Sequence, residues 1–499
     1  MTLLRVAFQT LGCKLNQLET ESIADRFLAA GAVLVPYHEE ADLYIINTCT
    51  VTTKAEQKAR RDIRAALASS PHAVVVATGC YAQMEPAALR ALGERVVVLE
   101  GDLKASLLSL AGWLSENWQG HGDLHYAVRE WQDELEAEVQ HKADAAHAAR
   151  DRFAFHPERF AMHSRPALKI QDGCNHRCAY CRVCLARGRS VSLSPEEALA
   201  RVRALEEAGK AEVVLTGVNL AQYGAGLRAG PASGSFLDFP RLVEFIIRET
   251  GTIAFRISSY EPERIDGAFL AMFANPRVRP HLHLSVQSGC TETLRRMARP
   301  YDAEQVRQAV QAVRAVRDDP FLACDIIAGF PGETDSEFER TFSLLEELDF
   351  AWIHAFPFSP RPGTPAWDMR PRIPERIAGE RTERLIRLAW LGKARYIERW
   401  TGRTVSMVVE GPGGEAQEDG AVIHGASIHG TTENYLKATL MWSEIERPAV
   451  RQADRSADSL ERPPAPGSQV QVRILGPSTT QGFEVQAELD SSSRPGWPD

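Results

Sequence analysis

Nothing in this 499-residue chain stays apolar for the ~18 residues that a membrane-crossing helix needs. The opening residues 1–9 lack the long apolar core of a signal peptide and read as the start of a strand. Both absences lead to the expectation of a cytoplasmic protein without a membrane partner, in a compartment that keeps thiols reduced. Basic charge is lacking too. At a net charge of −9 the surface is not coated for nucleic acid, and only local basic patches stay open. With disulfides disfavoured, the nine cysteines argue for metal ligation. What is present, 44% hydrophobic and 25% charged residues, is ordinary for a globular protein, and the length suits about two to four domains.

Seven cysteines fall into two groups: Cys13, Cys49 and Cys80, then Cys174, Cys178, Cys181 and Cys184. Cys290 and Cys324 stand in apolar, strand-like surroundings and are expected to be small core residues. Cys174, Cys178 and Cys181 have the spacing C-x3-C-x2-C, in a loop that also holds Gly173 and Asn175. Such a loop lets three thiolates converge on a [4Fe–4S] cube, each bonding a different iron. The fourth iron is then open to a small molecule. A structural zinc knuckle is the bland alternative.

Residues 5–11, 42–47 and 73–78 read as short buried strands separated by helical stretches at 20–30 and 54–69. This rhythm implies a parallel sheet with right-handed crossovers. Cys13, Cys49 and Cys80 each follow one of the three strands. The carboxyl ends of parallel strands share one edge, so these cysteines should meet there and hold a second cluster. Buried thiols or zinc are the alternatives. Residues 117–165, with a charged helical middle at 128–152, read as a solvated linker. Its histidines (His121, His125, His141, His147, His156 and His163) share no ligand spacing.

From residue 166 the alternation is regular, with strands expected at 167–171, 212–216, 254–258, 282–286, 323–328 and 352–356. Helices are expected at 195–208, 239–249, 303–317 and 336–348. Six βα units suit an open parallel partial barrel with its chemistry at the carboxyl ends of the strands, where the cysteine loop also lies. Polar or glycine-bearing turns at 216–219, 258–261, 287–289 and 329–333 open at the same mouth. An open barrel leaves a lateral gap wide enough for a folded RNA. Residues 354–365 are too proline-rich to continue a helix. Across 370–403, ten Lys/Arg stand against four Glu, a phosphate-contacting stripe or a solvated helix face with internal ion pairs. Strands at 404–410, 435–440, 469–474 and 483–488 suit a small antiparallel barrel of a kind used on oligonucleotides. Tyr435 is either an aromatic for stacking on an unpaired base or a core residue. Residues 451–467 and 491–499 are expected to be disordered.

These motif sets, in this order, resemble the radical S-adenosylmethionine (SAM) methylthiotransferases over nearly the whole chain. Tyr180 stands where that family carries an aromatic beside the last cysteine. Residues 10–20 resemble the branch that acts on threonylcarbamoyladenosine at position 37 of tRNA, and residues 47–52, 354–366 and 432–436 also match the family. The resemblance implies an α/β chain: an N-terminal three-layer parallel-sheet domain (1–116), a charged linker (117–160), an open (β/α)6 radical-SAM partial barrel (161–395), a TRAM-like β-barrel (396–490) and a disordered tail (491–499). It implies two [4Fe–4S] clusters and SAM. One cluster, on Cys174, Cys178 and Cys181, passes an electron to SAM. The other, on Cys13, Cys49 and Cys80, carries sulfur. Tyr180, Thr216, Gly217, Ser258, Glu261, Gln287 and Gly329 become the expected SAM contacts. Arg384, Arg395 and Tyr435 become the expected RNA contacts, and Lys58, Arg60, Arg61 and Arg64 either touch phosphates or form a solvated face. The expected partners are a tRNA anticodon loop and a low-potential, flavodoxin- or ferredoxin-like electron donor, with the sulfur source open.

Two departures stand out. Cys184 extends the run to C-x3-C-x2-C-x2-C, close to a ferredoxin arrangement; if it capped the fourth iron, the protein would be an electron carrier. Val191 replaces an arginine common in the family. A methylthiotransferase acting on isopentenyladenosine-37 of tRNA or on a ribosomal-protein aspartate is the other alternative.

Overall fold

The computed structural model describes residues 3–118, 120, 122–141, 151–157, 160, 164–227, 238–412, 416–418, 421–423, 426–442, 464–480 and 482–490. The expected disorder at 451–463 and 491–499 and the histidines His121, His147 and His163 lie outside the described residues.

Strands β1 (Arg5–Thr10), β2 (Val33–Val35), β3 (Leu43–Thr48), β4 (Val74–Gly79) and β5 (Val96–Val98) form one parallel sheet in the order β2-β1-β3-β4-β5. β3 and β4 are buried throughout, as their unbroken apolar runs require of central parallel strands. The sequence predicts three of the five strands. β2 and β5 have three residues each, too few for a period to register. The helix Thr53–Ser69, capped by Thr52, covers one face, and the helices Lys14–Ala29 and Leu107–Asn117 cover the other.

A further helix, Leu124–His141, corrects the linker expectation. It buries Leu124, Ala127, Val128 and Trp131 in the N-terminal core, an apolar stripe at helical spacing that its charged residues mask in the sequence. The helix Lys14–Ala29 differs from an ordinary surface helix. It also buries Asn16, Glu19, Thr20 and Ser22, because its second face lies against the next domain.

After β6 (Ala167–Lys169), the antiparallel pair β7 (Gln171–Asp172) and β8 (Val191–Ser192) brackets the cysteine loop, with Val191 opposite Asp172. Then come β9 (Glu212–Thr216), β10 (Ala254–Ile257), β11 (Ser259–Tyr260), β12 (His281–Gln287), β13 (Phe321–Ala328) and β14 (Trp352–Pro357). They form the parallel sheets β10-β9-β6 and β11-β12-β13-β14. β10 and β11 are one strand broken at Ser258, so six strands follow one another around a partial barrel. Among the described residues β6 and β14 do not pair, and the barrel stays open. Along β12, Leu282, Leu284 and Val286 pack with the surrounding helices, which leaves His281, His283, Ser285 and Gln287 for the lumen.

The helix Glu375–Trp400 leads to the third domain, with β15 (Thr404–Pro412), β16 (Ala416–Glu418), β17 (Ala421–Ile423), β18 (Ala426–Thr432), β19 (Lys437–Trp442), β20 (Gln469–Pro477) and β21 (Val485–Leu489). Five of these strands close into a barrel, β15-β18-β19-β21-β20. Its pairings are antiparallel except that of β19 with β21. The barrel docks on the amino-terminal ends of the central strands. There Glu212 holds Arg256 (Nε–Oε1 2.6 Å) and Arg279 (Nε–Oε2 2.8 Å), and Arg256 donates to the carbonyls of Thr432 and Glu433 at 3.1 Å each.

Candidate active site: two cysteine groups facing one helix

The first group sits on the loop between β7 and β8. Backbone N–H groups of His176 and Val183 point at the sulfurs of Cys174 and Cys181, both over 3.4 Å, and Arg299 Nη1 donates to Cys178 Sγ over 3.2 Å. Gln222 Nε2 lies 3.7 Å from Cys174 Sγ. Donors aimed at sulfur are what cluster-bound thiolates need around them. Burial pushes Cys181 up to about 12, so it stays a neutral thiol until a metal takes the proton's place. Among the described residues no three His, Cys, Asp or Glu side chains close around a single-ion position. A cube does not require that, since each sulfur bonds its own iron. The donor set fits a cluster.

The mouth above the loop carries the other predicted contacts. Ser258 Oγ, Asn219 Oδ1 and Glu263 Oε2 are buried polar atoms without a partner in the chain, which is the signature of a polar ligand's place. Burial raises Glu261 to about 7 although Arg299 is bonded to it. Its Oε1 accepts from Asn219 Nδ2 at 3.3 Å. Thr216 ends β9, and a side chain on Gly217 would strike Gln171 Oε1 at 2.8 Å. Gln287 turns the chain at φ 65°. Tyr180 packs in a small apolar group with Met297, Phe330 and Ala366. Gly329 has a packing reason of its own: at φ +75° a Cβ there would lie 2.5 Å from Cβ of Ala378 on the long helix.

The second group occupies the carboxyl ends of adjacent strands, with Cys13 after β1, Cys49 after β3 and Cys80 after β4. Val51 N–H faces Cys49 Sγ over 3.5 Å. Gly12, at φ +101°, passes so close that a Cβ would meet that sulfur at 2.8 Å, so the turn is shaped around the thiol. Desolvation raises Cys13, and burial takes Cys49 to about 12. Cys80 and Arg187 act on both thiols. This donor set also suits a three-sulfur cluster.

What joins the groups is the helix Val183–Arg187, which begins two residues after Cys181 and packs on the helix Cys80–Met84. Five residues rise only about 7.5 Å, so the two sites are near neighbours. Arg182, at its start, reaches Glu85 (3.0 Å) and Glu56 (3.6 Å) of the N-terminal domain. Arg361 binds Thr53 Oγ1 (3.0 Å), Thr50 Oγ1 (3.2 Å) and Glu56 from the far side. Cys184 lies within this helix, its sulfur 3.9 Å from the carbonyl of Cys181.

The sequence reading missed Arg187, Arg299, Glu19 and Asp172. They stand outside any cysteine spacing, and only charge at apolar-looking boundaries marks them. Six of the ten basic residues expected to form a stripe at 370–403 are paired from other elements: Arg381 by Glu333, Arg384 by Glu339, Lys393 by Glu484, Arg395 by Asp349, Arg399 by Asp319 and Arg403 by Asp318. Tyr435 packs on His281, ring centroids 4.0 Å apart, beneath the guanidinium of Arg256 at 5.2 Å. Arg60 donates to Tyr81 Oη. The exposed face of the helix Thr53–Ser69 carries Lys54, Lys58, Arg61 and Arg64.

A partial barrel of six parallel strands with Cys174, Cys178 and Cys181 at its mouth defines a radical SAM enzyme. Residues 168–345 match the radical SAM superfamily, and residues 5–101 match the uncharacterized protein family UPF0004. The chain is 43% identical to a threonylcarbamoyladenosine tRNA methylthiotransferase MtaB of Treponema pallidum, across 81% of this chain and 91% of that protein. It is 32% identical to the protein of the same name from Bacillus subtilis, across 88% and 91%. A tRNA-2-methylthio-N(6)-dimethylallyladenosine synthase of Ralstonia nicotianae shares 30%, across 86% and 90%. The chain belongs to the radical SAM methylthiotransferase family, in its threonylcarbamoyladenosine tRNA branch. No helix among the described residues is long and apolar enough to cross a membrane.

Proposed function

We propose that this protein transfers a methylthio group to C2 of N6-threonylcarbamoyladenosine at position 37 of tRNA, in the cytoplasm, with SAM and two [4Fe–4S] clusters. The substrate assignment is supported by the 43% identity to the Treponema protein over nearly its whole length. The two-cluster assignment is supported by the pair of three-cysteine sites on either side of one five-residue helix. When bound, the clusters and SAM supply the electron transfer, radical and sulfur chemistry that an unreactive purine C–H demands.

The chain's own residues bind and orient. Cys174, Cys178 and Cys181 hold the SAM cluster, and Cys13, Cys49 and Cys80 the auxiliary one. Thr216, Gly217, Ser258, Glu261 and Gln287 receive SAM at the mouth, with Arg299 fixing Glu261. Tyr180 and Gly329 act indirectly, by packing the cysteine loop and seating the long helix. A single-stranded anticodon loop lets base 37 splay into the gap between the domains. Lys54, Lys58, Arg61 and Arg64 line the approach for its phosphates. Arg384 and Arg395 reach RNA only by releasing Glu339 and Asp349, and Tyr435 contributes by holding the β-barrel in place. Electrons come from a flavodoxin- or ferredoxin-like donor.

The test is mass spectrometry of tRNA nucleosides from cells lacking and then regaining the protein. 2-Methylthio-threonylcarbamoyladenosine should vanish and return. An unchanged level in both would overturn the proposal.

A further inference from the structure

Between the two cysteine groups lies a sealed cluster of charges. Glu19, from the helix Lys14–Ala29, accepts from Lys104 at 2.5 Å, Lys169 at 3.0 Å and Arg187 at 3.0 Å. Asp172, two residues before Cys174, accepts from Lys169 at 3.1 Å and from Arg187 at 3.0 Å. The second arm of Arg187 donates to Asn16 Oδ1 at 2.8 Å. All five charged side chains are nine-tenths or more buried. Each carboxylate lies within ion-pair distance of at least two of these cations.

The count does not balance. Two carboxylates face three cations, leaving one positive charge in excess inside the protein. A buried charge without a counter-ion is costly, so a partner is implied. The cavity beside the cluster has Asp102, Asp151 and Arg152 on its lining as well, one more carboxylate than cation there. Asp102, however, is exposed on the solvent side, and Asp151 and Arg152 are half-exposed. The nearest of the cysteines is Cys80: it lines the same cavity as Arg187, and the helix that Arg187 ends packs on the helix that Cys80 begins. A [4Fe–4S]2+ core on three thiolates carries one net negative charge, the amount that is missing.

We propose that Arg187 is a positioning residue whose surplus charge is the counter-ion of the auxiliary cluster, and whose fork ties that cluster to the SAM-cluster loop through Asp172. This inference rests on the two-cluster reading above. A nearby positive charge favours the more negative, reduced cluster and so raises its potential. Removing it should lower the potential. Arg187→Met leaves Glu19, Asp172, Lys104 and Lys169 as a balanced quartet, so the interface retains its ion pairs.

The test uses the full chain carrying C174A, C178A and C181A, reconstituted anaerobically so that only the auxiliary cluster forms, at about four irons per chain. The midpoint potential is read by EPR-monitored titration. Arg187→Met should shift it to more negative values, and Arg187→Lys, which keeps the charge and loses the fork, should stay near the parent. Lys104→Met removes the same surplus from the far side of Glu19 and should shift the potential in the same direction by less, which keeps the test open should Arg187→Met fold poorly. Equal potentials in all variants, or equal shifts in Arg187→Met and Arg187→Lys, overturn the counter-ion role. A parent without iron overturns the two-cluster reading itself, a different and separable outcome.

Discussion

Arg299 donates from Nη1 to the sulfur of Cys178 over 3.2 Å while its Nη2 is bonded to Glu261. One buried guanidinium thus ties a cysteine of the loop to a carboxylate at the barrel mouth, from a position 121 residues further along the chain. Losing a hydrogen-bond partner of a metal ligand costs on the order of 10- to 100-fold in affinity or activity. Arg299→Gln should slow SAM cleavage by about that factor, measured as 5′-deoxyadenosine released without tRNA. Cleavage at the parent rate would remove Arg299 from the site.

Cys184 should behave unlike its neighbours. Its sulfur faces the carbonyl of Cys181 inside a helix rather than a loop. Cys184→Ala is expected to keep iron content and SAM cleavage, and Cys181→Ala to lose SAM cleavage. Loss of iron in both would make Cys184 a cluster ligand.

Glu212 is fully buried between Arg256 and Arg279, the residues on which the β-barrel docks. Glu212→Gln leaves two buried guanidinium groups short of a counter-charge. Breaking such a pair costs about 3–5 kcal/mol. Denaturant unfolding should lose stability of that order, with the junction to the β-barrel opening to protease first.

The same carboxylate sets an acid limit. Burial alone would raise it, but Arg256 and Arg279 outweigh burial and hold it at about 2, against 4.5 for an ordinary glutamate. The folded value is the lower one, so the stabilisation is complete above about 4.5 and fades as the pH falls toward about 2. Unfolding free energy measured from pH 5 downward should fall less steeply in Glu212→Gln than in the parent.

Lys58 and Arg64 lie exposed on the helix that follows Cys49, and among the described residues neither has an acidic partner. Lys58→Ala and Arg64→Ala should each weaken tRNA binding and lower the slope of log affinity against log salt by about 1. SAM cleavage without tRNA should be unaffected. An unchanged salt slope would move the RNA path elsewhere.

The parts legible in the sequence share one property: their signal is local. The spacing of Cys174, Cys178 and Cys181 is fixed within eight residues, and each strand of the partial barrel carries its own apolar run. β2 and β5 escaped because three residues hold no period. The helical stretch expected from residue 128 is there in Leu124–His141, but its place in the core escaped because its charges outnumber its buried stripe. The basic run at 370–403 misled because its acidic partners, such as Glu339 and Asp349, come from other elements.

By itself the sequence determined how the thiols are grouped and where the longer strands run, since thiol spacing and hydrophobic period need no partner to be read. Which charges meet was left to the tertiary structure. Glu19, Asp172 and Arg187 lie up to 168 residues apart and carry no motif, yet they share one sealed space between the two cysteine groups. Electrostatic energy depends on distance through space and on the exclusion of water, and a linear order of residues records neither.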